Sequence, residues 1–250
     1  MTKDIIKVQN LRVAYGDFVL FDNITFNIKE KDIFIIMGAS GCGKSSMLRV
    51  LTGLVSPVQG TVLINDKNLF EADLQQQKQI MMESGVMYQS GALFSSLTLK
   101  ENVAMPLELY STYNKKEIDE LASYKLALAG LAGFDDFYPS EISGGMKKRA
   151  ALARALALDP KILFCDEPSA GLDPVSSKRL DDLINELNQS LGTTFVIVTH
   201  ELSSIFNIGT NSIFLDGKVK NITARGNPND LLNNPPNAEI REFLTRGINK

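Results

Sequence analysis

Long apolar runs, paired cysteines and an excess of basic residues are all missing from this sequence, and each absence removes a class of function. No stretch approaches the ~18 apolar residues needed to cross a bilayer, and the start alternates charged with apolar positions instead of forming a signal-peptide core. The protein is therefore expected to stay in the cytoplasm and to meet a membrane only through a partner. Cysteine occurs twice, at Cys42 and Cys165, and neither lies in a CxxC or Cys/His cluster; they read as reduced packing thiols. A net charge of -3 and a pI near 5.4 leave no electrostatic footprint for DNA or RNA, which would need clustered Lys and Arg.

What is present is enough for one large α/β domain: 250 residues, 44% of them apolar. Residues 5–28 alternate apolar and polar positions, the period of half-buried antiparallel strands. The unbroken apolar run 33–37 predicts a strand covered on both faces. A glycine-rich turn follows, then a helix over 44–52 that Gly53 ends. From about 97 the β-branched runs give way to helical sequence, and Asn114 with Glu117 forms a capping box for a helix through 131. Strand candidates return at 162–165 and 195–199, flanking a helix over 176–191, so the parallel α/β pattern resumes. The Asn- and Pro-rich segment from Gly226 leads to a short helix over 238–245. Its apolar face at Ile240, Phe243 and Leu244 could dock on its own chain, a dimer mate or another subunit.

Four segments carry chemistry. Gly38-Ala39-Ser40-Gly41-Cys42-Gly43-Lys44-Ser45 fits G-x-x-x-x-G-K-[ST] and lies between a buried strand and a helix start, the setting in which that pattern has meaning. Its N–H groups would cradle phosphate, Lys44 would reach the β- and γ-phosphates and the Ser45 hydroxyl would hold Mg²⁺; Ser46 continues the ATP-binding set. The strand 162–165 ends in Asp166 and Glu167, suited to metal binding and to activating water. His200, the lone histidine, follows the strand 195–199, where an imidazole could help orient that water. Gln89, after 86–88, offers an amide oxygen to the metal.

Ser143-Gly144-Gly145-Met146 opens an Ala/Leu-rich helix and resembles the signature motif of ABC ATPases, usually LSGGQ. The resemblance extends over about residues 5–225. It implies that Tyr15 stacks on adenine, Gln89 marks the Q-loop, Asp173 the D-loop and His200 the switch histidine. The implied fold is α/β, the P-loop NTPase ABC ATPase fold: a mixed, largely parallel sheet core, an N-terminal antiparallel β subdomain and an inserted α-helical subdomain. Residues 1–225 are then the nucleotide-binding domain, with the helical part at about 97–150, and 226–250 a tail. Because the phosphate loop already wraps the nucleotide from one side, Ser143 must act on the ATP of a second copy.

Finer cues point to a subfamily. The run 89–94, Met146, the basic-apolar stretch 147–154 and the tail 235–244 are similar to the ATPases of Mce-associated transporters, including the Mla phospholipid system; Leu172, where Mla ATPases often carry Gln, is the general ABC form. The resemblance implies an ATP- and Mg²⁺-dependent homodimer beneath a permease, with an Mce-domain protein and accessory envelope subunits, peripheral on the cytoplasmic face of a bacterial inner membrane and moving phospholipid or another lipid. The competing expectations are another ABC importer, a cell-division-associated system and, more remotely, a soluble ABC ATPase acting on ribosomes or DNA.

Overall fold

A computed structural model describes residues 3–246; positions 1–2 and 247–250, the latter the end of the expected tail, lie outside the described residues. The chain begins with two long antiparallel strands, β1 (Asp4–Tyr15) and β2 (Phe18–Lys29), whose alternating burial follows the apolar-polar period of the sequence. The fully buried β3 (Ile33–Gly38) leads through the glycine loop into α1 (Lys44–Leu51). Two short strands, β4 (Gln59–Ile64) and β5 (Lys67–Asn68), then join the first pair in a four-stranded sheet of order β2-β1-β4-β5.

Helix α2 (Leu74–Met82) precedes β6 (Ser84–Met87), and two capped helices follow, α3 (Leu99–Tyr110) and α4 (Lys115–Leu128). The box expected at Asn114 is closed in both directions: Asn114 Oδ1 accepts from the Glu117 amide, and Glu117 Oε2 from the Asn114 amide. The helix stops three residues earlier than its apolar pattern suggests. Gly130 takes φ +68°, and the Leu131 amide folds back to the Leu126 carbonyl at 2.9 Å, a closing turn that competes with helix extension.

After a single 3₁₀ turn at Pro139–Glu141 come α5 (Gly144–Ala155), β7 (Ile162–Asp166), α6 (Pro174–Leu191), β8 (Thr194–Val198), α7 (Leu202–Ile208) and the hairpin β9 (Asn211–Asp216) with β10 (Asn221–Gly226). The tail forms α8 (Pro228–Asn233) and α9 (Ala238–Thr245). Strands β3 and β6–β10 make a sheet of order β10-β9-β3-β8-β7-β6, parallel except for β10.

Alternation along the parallel strands sorts the core into two faces. Ile33, Ile35, Leu163, Cys165, Phe195 and Ile197 meet α3–α9, while Phe34, Ile36, Phe164, Val196 and Val198 meet α1 and the antiparallel sheet. The tail helix docks on its own chain: Ile240, Phe243 and Leu244 are buried, and the Phe243 ring meets Phe214 edge-on at 5.0 Å. Among the described residues no helix is long and apolar enough to cross a membrane.

Candidate functional site

Strand register decides what converges. Ile35, Ile197, Cys165 and Met87 pair across β3, β8, β7 and β6, so the residues two further on, including Glu167 and Gln89, emerge at the same carboxyl edge as the 38–45 loop and His200. In open α/β sheets that edge is where ligands bind. An open cleft of about 510 Å³ lies there. Its walls include Ser40, Gly41, Gly43, Lys44, Ser45 and Ser46 from the loop, with Gln89, Glu167 and His200 opposite and Tyr15 at the rim.

The loop owes its path to glycine. Gly38 takes φ +153°, and a Cβ there would overlap the Leu215 carbonyl oxygen and come within 2.7 Å of Cys42 Sγ. Cys42 is buried, which pushes its thiol pKa up and leaves it inert as a nucleophile. Helix α1 begins without a side-chain cap, since Gly43 occupies the capping position in a left-handed conformation. Its first N–H groups and the positive end of its dipole thus face the cleft. Lys44 Nζ lies along the loop, donating to the Gly38 and Ala39 carbonyls at 3.1 Å each.

Behind the loop, the Ser45 hydroxyl donates to Asp166 Oδ1 at 3.0 Å. Burial raises the Asp166 carboxyl above its ordinary pKa, and the Ser45 hydrogen bond offsets part of that. Glu167 is 8% exposed and has φ +47°, a left-handed turn that a non-glycine residue adopts at a cost of roughly 1–3 kcal/mol. The turn is held by the Glu167 amide donating to the Val198 carbonyl at 2.8 Å. The carboxylate then meets His200 Nδ1 at 2.8 Å. Because a carboxylate only accepts, Nδ1 carries the hydrogen and the imidazole holds Glu167 in the cleft.

Two further groups of sequence-predicted residues lie elsewhere. Ser143 caps α5, its hydroxyl accepting from the Met146 amide at 3.3 Å, and Gly144, Gly145 and Met146 form the first turn of that helix. None of these lines the cleft of its own chain. Asp173 caps α6 through the Val175 and Ser176 amides at 3.0 Å, bonds that hold its carboxyl below the usual range.

Sequence reasoning passed over three residues. Phe18, across the β1–β2 turn from Tyr15, shares the rim; both rings are well exposed, at 61% and 47%. Arg246, just past α9, lies over the Phe243 ring at 4.3 Å, donates to the His200 carbonyl and lines the cleft. The apolar face of α9 was the signal that this end docks, but nothing local said where. Lys148, buried in α5, donates to the backbone carbonyls of both Gln89 and Glu167.

The donor atoms fit a small hard cation better than a transition metal. Ser45 Oγ and Asp166 Oδ1 are adjacent, Gln89 stands on the cleft wall, and among the described residues no group of three His, Cys, Asp or Glu side chains could form a metal cage. A hydroxyl, one carboxylate and an amide oxygen leave positions for phosphate and water, the habit of Mg²⁺.

Comparison with known proteins gives the same class. The family described as "ABC transporter" matches residues 21–170. The chain is 37% identical to the probable ribonucleotide transport ATP-binding protein Mkl of Mycobacterium tuberculosis, over 96% of this chain and 66% of that protein. It thus spans slightly less than two thirds of Mkl. It is 36% identical to the intermembrane phospholipid transport system ATP-binding protein MlaF of Haemophilus influenzae, covering 88% of this chain and 83% of that one. It is also 36% identical to the methionine import ATP-binding protein MetN of Clostridium tetani, covering 96% and 74%. Among solved structures, the ATP-binding cassette MJ0796, a dimer bound to ADP and Pi in a post-hydrolysis state, superimposes with a TM-score of 0.78 at 30% identity, covering 89% of this chain and 98% of that one.

Proposed function

The chain belongs to the ABC transporter ATPase family, and we propose from that premise that it binds and hydrolyses ATP as one of two identical subunits beneath a membrane permease. The observation that carries the reading is the convergence of Lys44, the Ser45–Asp166 pair and the Glu167–His200 pair in one cleft.

Each residue then has a task. Tyr15, with an exposed ring, stacks on adenine. The amides of residues 38–46 and the open start of α1 hold the phosphates, and Lys44 leaves the loop carbonyls for the β- and γ-phosphate oxygens. Ser45, Asp166 and Gln89 would hold Mg²⁺, which when bound draws charge from the phosphate oxygens. Glu167 takes the proton of the attacking water, and His200 keeps its carboxylate aimed. Ser143, Gly144, Gly145 and Met146 complete the site of the second copy, with Asp173 at the seam between the two. Residues 1–225 form the nucleotide-binding unit, with the helical part at about 97–150 inserted in it, and 226–250 is an appended tail.

An apolar groove between α2, α3 and α5, lined by Met81, Met82, Val86, Pro106 and Leu158, would seat the permease. With the likeness to MlaF, this supports a position on the cytoplasmic face of an inner membrane. For cargo we favour phospholipid or another lipid, moved with an Mce-domain protein and accessory envelope subunits. The 89–94 run, Met146 and the likeness to MlaF support it. The likeness to MetN favours a second reading, import of an amino acid.

Glu167→Gln tests the mechanism: ATP binding persists, a dimer accumulates in ATP, and turnover falls by about 10²-fold or more. Undiminished hydrolysis would remove Glu167 from the role of base. Isolating the intact membrane complex tests the cargo. A multi-span permease with a single-pass Mce-domain protein and bound phospholipid supports lipid traffic, whereas a partner that binds methionine overturns it.

A further inference from the structure

Helix α5 sends two cations into the backbone behind the cleft, and their partners are carbonyl oxygens, not carboxylates. Lys148 is 7% exposed; its Nζ donates to the Gln89 carbonyl and, at 3.4 Å, to the Glu167 carbonyl. Nearly two turns along, Arg154 donates through Nη1 to the Ala92 carbonyl at 2.6 Å and through Nη2 to the Gly91 carbonyl at 2.8 Å. The turn that Arg154 grips is closed by the Gly91 amide donating to the Tyr88 carbonyl at 2.8 Å and carries a backbone cost: Gly91 has φ +75° and Ala92, which carries a Cβ, φ +46°. Burial lowers the Lys148 pKa, with the Glu167 charge opposing that shift. A buried ammonium is an expensive way to satisfy two carbonyls, and bonds from a charged donor are about twice as strong as neutral ones.

We propose that Lys148 is a positioning residue that locks the backbone of Gln89 to that of Glu167, while Arg154 holds the turn beyond, so that the amide at the metal site and the general base move with α5 as one body. This rests on the function proposed above. The helix that carries the clamp begins at Ser143, the residue assigned to the partner's ATP. Arg154 and Gly85 meanwhile line the groove assigned to the permease. Engagement at either end of α5 therefore reaches Gln89 and Glu167 through named hydrogen bonds instead of through the nucleotide.

The test uses the full-length dimer and three readouts: turnover, affinity for a fluorescent ATP analogue, and melting temperature. Lys148→Met keeps the stem and removes the donors; turnover is expected to fall by ~10- to 100-fold, the scale of a small misplacement of catalytic groups. Nucleotide affinity should stay within about twofold, since the phosphate loop is untouched. Lys148→Gln keeps one donor and should fall between. The decisive measurement is a cycle with Gln89→Ala: if Lys148 acts through Gln89, the double variant loses clearly less than the product of the two single losses. Multiplicative losses, or wild-type turnover in Lys148→Met, overturn the proposal. Should Lys148→Met not fold, the cycle is run with Lys148→Gln and the same two outcomes decide it. The unsubstituted dimer and Glu167→Gln are measured alongside: no ATP hydrolysis by the former would sink the underlying function, whereas an inactive Glu167→Gln beside a fully active Lys148→Met would sink only the clamp.

Discussion

The loop at 38–45 and the turn at 143–146 each deliver the N-terminus of a helix, α1 or α5, but their glycines answer to different neighbours. At Gly38 a side chain would strike the Leu215 carbonyl of the same chain, so the fold itself demands glycine. At Gly144 a Cβ would sit 3.8 Å from Leu172 Cδ2, an ordinary contact, and nothing in the chain forbids it. The helix starts differ likewise: α1 leaves its first N–H groups uncapped and facing the cleft, whereas Ser143 caps α5 from its own side chain. One turn is finished by intramolecular packing. The other has room at Gly144, although a Cβ at Gly145 would come within 3.2 Å of the Ser176 side chain. Packing within the chain therefore accounts for Gly145 and not for Gly144, and in the proposed function the neighbour that Gly144 answers to is the second copy's nucleotide.

The sharpest way to break this contrast is at the packed turn. Gly38→Ala should destabilise the protein by about 3 kcal/mol or more, combining a steric overlap with a φ that alanine resists. Chemical denaturation reads it directly, and a loss below 1 kcal/mol would mean that the loop relaxes where the contrast says it cannot. Lys44→Ala keeps every loop glycine but removes the ammonium with its hydrogen bonds to the Gly38 and Ala39 carbonyls, so stability should fall less than in Gly38→Ala while ATP affinity drops by roughly 100-fold, about 2.7 kcal/mol. Unchanged affinity by titration calorimetry would detach the loop from nucleotide altogether.

Asp181 examines the scaffold behind the second turn. It lies on α6, the helix whose first turn faces Gly145, is 2% exposed, and neither of its carboxylate oxygens closes a hydrogen bond. Burial raises its pKa to about 6. The folded state therefore holds a proton between about pH 4 and 6 that the unfolded chain releases. Stability attributable to this group falls as pH rises through that window. At pH 7 the charged form costs about 2–3 kcal/mol. Asp181→Asn should relieve that cost at pH 7, and the gain should vanish below pH 4. A difference in unfolding free energy that does not vary with pH would show that the carboxyl is not titrating there.

Legibility in the sequence follows the same divide. Strands β1–β3, β7 and β8 and helices α1, α4, α6 and α9 announce themselves by period and caps, because their burial is decided locally. The chemistry-bearing residues Lys44, Ser45, Asp166, Glu167 and His200 stand next to those elements, so one turn's displacement could not separate them. The hairpin β9–β10 and helices α2 and α7 carry weaker patterns, since their burial depends on what the sheet already presents. Lys148 and Arg246 were not legible at all. Their partners are backbone carbonyls 59 and 46 positions away, and a carbonyl leaves no mark on a sequence. A lysine after the signature glycines reads as a solvated face until the fold buries it.

The smallest effect on the isolated chain belongs to Gly144→Ala, and it divides the two turns most cleanly. Helix propensity favours alanine over glycine by up to about 1 kcal/mol, and the Cβ meets only Leu172 at van der Waals distance. The melting temperature should therefore stay level or rise slightly, and affinity for a single ATP, held by the other turn, should not change. What should fail is assembly. In the proposed dimer a methyl group at Gly144 would stand against the second copy's phosphates, so the dimer expected of Glu167→Gln in ATP should not form in the Gly144→Ala, Glu167→Gln double variant. Size-exclusion chromatography with light scattering separates the outcomes. A double variant that still dimerises in ATP would mean that Gly144 faces no partner, and that the room around it needs another explanation.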